Sequence, residues 1–140
     1  MRVIDVDPPA PPEPSYAHRA TFVEVHDGDS FWLEVDFGKL TAGVTLSLPL
    51  YFRLAGIDAW EIPPGAKSPL DPGYAKGYAA REFTRGCLAR AKAIVIQTLK
   101  PTATSAETEK YGRVLADVWV DGRLLADLLR QAGMEKQAST

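Results

Sequence analysis

The chain has little sulfur and no dominant charge. Its single cysteine, Cys87, cannot close an internal disulfide, and no cysteine/histidine cluster offers a zinc site. No apolar stretch reaches the roughly 18 residues of a membrane-spanning helix, so no membrane contact is expected. The start, MRVIDVDPPAPPEPSYAHR, has acids and prolines where a signal peptide needs a basic end and an apolar stretch. That predicts a cytoplasmic or otherwise intracellular protein. No internal repeat is present, which excludes solenoids and propellers. What remains is ordinary globular material. A hydrophobic fraction of 46% over 140 residues supports one buried core and excludes a wholly disordered chain.

The net charge of −2 hides an asymmetry. Residues 1–36 hold eight acids and two bases, whereas residues 37–140 hold fourteen bases and ten acids. The body therefore carries +4, mildly favourable for a polyanion and far below the charge of a protein that coats DNA. Any contact with nucleic acid is expected to be local.

Residues 1–19 read as a proline-rich arm. PPAPPEP cannot supply a run of backbone donors and favours extended polyproline conformations, with PxxP spacings at Pro8/Pro11, Pro9/Pro12 and Pro11/Pro14. The arm is either a semi-rigid linker or a ligand for the aromatic groove of a protein partner. From Ala20 the pattern becomes β. ATFVEV alternates, His26-Asp27-Gly28-Asp29 turns the chain, and SFWLEVDF returns with Phe31, Leu33, Val35 and Phe37 on one face. Gly38 to Gly43 read as a loop, and VTLSLPLYFRLAGI as a long third strand whose Pro49 belongs at an edge or a bulge.

A proline- and glycine-rich loop follows over 62–74, then helical spacing over 75–91 through Ala79, Ala80, Phe83, Cys87, Leu88 and Ala91. Its Lys76, Arg81, Arg85 and Arg90, with Lys92 just beyond, form either a solvated basic face or a phosphate contact. AIVIQTL and RVLADVWV read as strands around a polar loop, PTATSAETEKYG. RLLADLLRQAGM reads as a helix that Gly133 ends. The order β-β-β-α-β-β-α predicts an α+β, mainly β domain over 20–134. Its expected form is a five-stranded OB-fold-type barrel with two or three helices, and 135–140 form a tail.

Three segments combine acids, arginines and a turn. Asp27 and Asp29 flank Gly28; two hard oxygen ligands so spaced can hold Ca²⁺ or Mg²⁺, although Asp-Gly is also a common hairpin turn. In FRLAGIDAWE, Arg53 lies among apolar neighbours and needs an anionic partner. Asp58 is five positions on, so a straight strand would aim the two oppositely. They reach one site only if the chain leaves its strand near Gly56, which permits the bend. A structural Arg–Asp ion pair is the plainer reading of that segment. EKYGR offers Lys110 and Tyr111 to a phosphate and a base, or is simply a polar loop.

Together, Asp-Gly-Asp-Ser, Arg-x4-Asp-x2-Glu and Glu-Lys-Tyr-Gly-Arg resemble the staphylococcal-type nuclease (thermonuclease) family, in the family's order and over roughly residues 20–134. The resemblance implies a calcium-dependent nuclease that hydrolyses phosphodiester bonds of DNA and/or RNA with little sequence specificity. Asp29 and Asp58 would be carboxylate ligands of one Ca²⁺, and Ala59 would add its backbone carbonyl. Arg53 and Arg113 would grip the scissile phosphate and Glu61 would act as general base. Asp27 would stand behind the ligands, and Lys110 and Tyr111 would contact substrate. The family has Thr-Pro where this chain has Ala59-Trp60.

The chemistry is coherent in itself. Phosphodiester hydrolysis places extra negative charge on the phosphoryl oxygens, and guanidinium forks match their geometry. Arg53, Arg113, Asp29, Asp58 and Glu61 sum to −1, which becomes +1 with Ca²⁺. A catalytically weak or inactive module that binds nucleic acid, or a structural part of a larger assembly, is the alternative. Outside such an assembly a monomer is expected.

Overall fold

The computed structural model describes residues 17–63, 73–99 and 112–136. They form β1 (Ala17–Asp27), β2 (Ser30–Thr41), β3 (Val44–Leu54), α1 (Tyr74–Arg90), β4 (Ile94–Thr98), β5 (Val114–Val120), β6 (Arg123–Leu124) and α2 (Leu125–Gln131). The expected order holds, with the two-residue β6 added ahead of the last helix. The proline-rich stretch up to residue 16 lies outside the described residues, as do Lys110 and Tyr111.

β1 pairs antiparallel with β2 and β4, β2 with β3, and β4 with β5. A short parallel pairing of β3 with β5, Phe52 opposite Val114 and Leu54 opposite Ala116, completes a ring of five strands. That closure encloses one core. Inward positions alternate as the pleat requires: Phe31, Leu33 and Val35 from β2, Phe52 and Leu54 from β3, Ala116, Val118 and Val120 from β5. Leu88 of α1 and Leu125 and Leu129 of α2 are buried in the same core. The barrel predicted from the element order is thus the fold observed.

Two local expectations are corrected. Residues 38–43 are not a loop: β2 runs on to Thr41 and β3 starts at Val44, so only Ala42 and Gly43 turn the chain. The resulting hairpin projects past the barrel, which leaves Leu40, Val44, Leu46 and Leu48 exposed. Phe37 is 39% exposed for the same reason, since its strand has left the core by that point, and its ring meets His18 instead. Pro49 does sit where β3 has β2 on one side only, so its missing N–H breaks no ladder.

Gly133 (φ +75°) ends α2 as expected. Its N–H donates to Arg130 C=O at 3.1 Å and that of Met134 to Leu129 C=O at 2.9 Å, a Schellman closure. The chain then runs back beside 58–60, pairing Ala59 with Glu135.

Candidate active site

The turn between β1 and β2 places Asp29 at the barrel wall, where its side chain is 1% exposed. A carboxylate so buried needs partners, and it has three. Asp29 Oδ2 accepts the Ala59 N–H at 2.9 Å and lies 3.2 Å from Arg53 Nη1; Oδ1 accepts the Ser30 hydroxyl at 3.3 Å. Burial pushes the Asp29 carboxyl up, against the pull of Arg53 and the Ala59 amide, while Asp58 and Asp27 add to the rise.

Arg53 reaches Asp29 from the end of β3. The strand stops at Leu54 and Gly56 takes φ +77°, a bend that brings Asp58 back to the arginine. Arg53 Nη2 lies 3.3 Å from Asp58 Oδ1, and Nη1 donates to the Leu54 and Ile57 carbonyls at 2.7 and 2.8 Å. The required departure from the strand is present. Asp29 and Asp58 thus bracket one guanidinium, Asp29 buried and Asp58 with 64% of its side chain exposed.

Ser30 continues the network on the other side. Arg113 Nη1 donates to the Ser30 hydroxyl at 3.0 Å, so Arg113, Ser30, Asp29, Arg53 and Asp58 form one polar chain. Arg113 also lines a cleft of about 430 Å³ with His26, Asp27, Tyr51 and Glu61. Glu61 and Arg113 therefore face one volume although fifty-two positions separate them. Burial raises the Glu61 carboxyl, and Asp27, Asp29 and Asp58 raise it further by repulsion. Burial also raises the Tyr51 phenol, opposed by Ser30 and Arg113.

α1 holds both acid-bearing loops. A Cβ on Gly77 would lie 2.4 Å from the Glu61 carbonyl carbon, so only glycine lets the helix touch that backbone. A Cβ on Gly28 would meet the Ala80 and Ala59 methyls at 2.9 and 3.1 Å. The buried Thr84 hydroxyl donates to the Gly28 carbonyl at 2.6 Å. Gly77, Ala80 and Thr84 share one face at helical spacing, yet sequence reasoning passed over Gly77 and Thr84. Small residues at i, i+3 and i+7 were the available signal of close helix approach. Ser30 and Tyr51 were also missed as site residues.

Trp60 turns elsewhere. Lys76 Nζ stands 4.3 Å over its ring, and it borders a separate hollow with Ala79 and Met134. The basic positions of α1 are in part internally satisfied: Arg85 pairs with Glu82 and Arg81 lies over Tyr78.

Asp27, Asp29, Asp58 and Glu61 carry hard oxygen donors, and Asp29 and Asp58 share the Arg53 guanidinium. That suits a divalent cation of the calcium type. Among the described residues, however, no three acids, histidines or cysteines are gathered tightly enough to enclose a metal. Asp29 and Asp58 are the two carboxylates that could hold such an ion.

No curated protein matches the chain. The staphylococcal nuclease homologue family matches residues 51–139, a span that includes Arg53, Asp58, Ala59, Glu61, Lys110, Tyr111 and Arg113 and starts after Asp27 and Asp29. The OB-like closed barrel, with an Arg/Asp/Glu constellation on its wall, agrees with a match over nearly two thirds of the sequence: the chain belongs to the staphylococcal nuclease homologue family.

Proposed function

We propose that this protein is a calcium-dependent nuclease that hydrolyses phosphodiester bonds of DNA and/or RNA with little sequence preference. The observation that carries the reading is the meeting of Glu61 and Arg113 on one cleft, beside the Asp29–Arg53–Asp58 bracket.

Arg113, on the cleft wall, pairs with a phosphoryl oxygen in this reading. Arg53 is the second fork. Its contact with the exposed Asp58 is long at 3.3 Å, so exchanging that partner for phosphate costs little. Glu61 acts as general base: its carboxylate takes a proton from water on the cleft side, and its raised pKa moves it toward the range where a base is effective near neutral pH. Asp27 keeps negative charge behind it. Asp29 and Asp58 would hold Ca²⁺, with the Ala59 carbonyl as a further donor. Lys136 N–H bonds Asp58 C=O and Trp60 N–H bonds Met134 C=O, so the Glu135 bridge leaves the Ala59 amide to Asp29. In extended backbone a carbonyl lies on the side of its own amide, which directs Ala59 C=O the same way. Bound calcium supplies positive charge for the phosphoryl oxygens and lowers the pKa of water.

A second reading, a nucleic-acid-binding module with weak or no turnover, draws on the four acceptors that already hold Arg53 and on the absence, among the described residues, of a tight acid cluster. Incubating the protein with single-stranded DNA or RNA and CaCl₂, with and without chelator, separates the two. Cleavage that stops with chelator and with Glu61→Gln is the expected result; retention of the strand without cleavage would favour the second reading.

A further inference from the structure

Resting on the nuclease reading above, we propose that Tyr51, backed by Trp32, forms a stacking subsite for the nucleobase adjoining the phosphate held by Arg113. Trp32 of β2 and Tyr51 of β3 are directly opposed in the ladder, and their rings stack at 5.0 Å with an interplanar angle of 11°. His26 of β1 stands nearly perpendicular to Tyr51, at 6.2 Å and 82°. One face of the Tyr51 ring is thus taken by Trp32, while Tyr51 and His26 both border the cleft that holds Glu61 and Arg113. The parallel register that sets Phe52 against Val114 brings Tyr51 alongside Arg113. An aromatic surface and a guanidinium on one wall match the two halves of a nucleotide: a flat base and an anionic phosphate.

The charges around the aromatic pair restrict what can bind. Glu24 is the ladder partner of Trp32 on β1, and Glu34 lies two residues along the same face of β2; both are exposed. These acids repel a phosphate backbone crossing the sheet but not an uncharged base. The subsite therefore takes one base and turns the rest of the strand away from the barrel face. Trp32 itself is 39% exposed, an unusual placement for so large an apolar ring when its only task is packing.

The test is binding by the Glu61→Gln protein with CaCl₂, read by fluorescence anisotropy. The probes are a labelled single strand of thymidylates and an abasic strand of equal length and phosphate number. The base-bearing strand should bind at least about fivefold tighter, the lower end of what one stacked base contributes. Adding Tyr51→Leu or Trp32→Leu should bring the ratio close to one, and Tyr51→Phe should preserve it. Equal binding of the two strands by the Glu61→Gln protein overturns the proposal with no change made to the sheet. So does a ratio that survives Tyr51→Leu; in both cases the nuclease reading stands. Binding of neither strand removes that reading, and the subsite with it.

Discussion

The Thr84 hydroxyl of α1 donates to the Gly28 carbonyl across 2.6 Å, and by that bond a helix fixes the turn that presents Asp27 and Asp29. Both groups are buried, so deleting the donor leaves a carbonyl without water or partner. Thr84→Val, which keeps the shape, should cost about 1–3 kcal/mol in urea denaturation. Thr84→Ser, which keeps the hydroxyl, should cost less.

Gly77 governs the other acid. Alanine there would place a methyl 2.4–2.5 Å from the Glu61 and Ile62 backbone, so helix and loop must separate. Gly77→Ala should lower kcat/KM on a single-stranded substrate by about 10²-fold, the scale of a misplacement near 1 Å. Circular dichroism of the same variant should still show the barrel.

The two arginines should part company when stability and rate are measured side by side. Removing Arg53 strands Asp29, which is 1% exposed, as an uncompensated charge. Arg53→Ala should therefore lose about 3 kcal/mol of stability as well as activity. Arg113→Ala takes one donor from the Ser30 hydroxyl, which still bonds Asp29. It should cut the rate by about 10²–10³-fold with a much smaller loss on thermal denaturation.

Asp117, half-buried on β5, gives a pH dependence away from the site. Burial raises its carboxyl, so the folded protein binds that proton more tightly than the unfolded chain does. The resulting stabilisation is complete below the unfolded carboxylate range, near about pH 3, and is lost as pH rises through the raised value. Asparagine has no such proton. Asp117→Asn should gain in Tm relative to the parent as pH climbs from about 3 to about 7.

The strands were legible because β2 alternates over Phe31, Leu33 and Val35 and β5 over Ala116, Val118 and Val120, as a one-sided core requires. The hairpin tip was not legible. Gly38 and Gly43 both suggest turns, but only pairing across the strands reveals that Lys39 to Thr41 still form a ladder with Thr45 and Val44. At the site, Arg53 and Asp58 could be foreseen to meet because Gly56 lies between them. Ser30, Tyr51 and Thr84 could not, since each matters through partners remote in sequence: Arg113 for the first two and Gly28 for the third.

The return of the chain beside residues 58–60 ties the Asp58 loop to a segment more than seventy positions away. Asp58 C=O is bonded by Lys136 N–H at 2.6 Å, and Trp60 N–H reaches Met134 C=O. Neither bond belongs to the ring of strands, so the barrel can stay closed while both are broken and the Asp58 loop has lost its anchor. Fraying of residues 134–136 would therefore unsettle the Asp58 loop well before it melted the barrel.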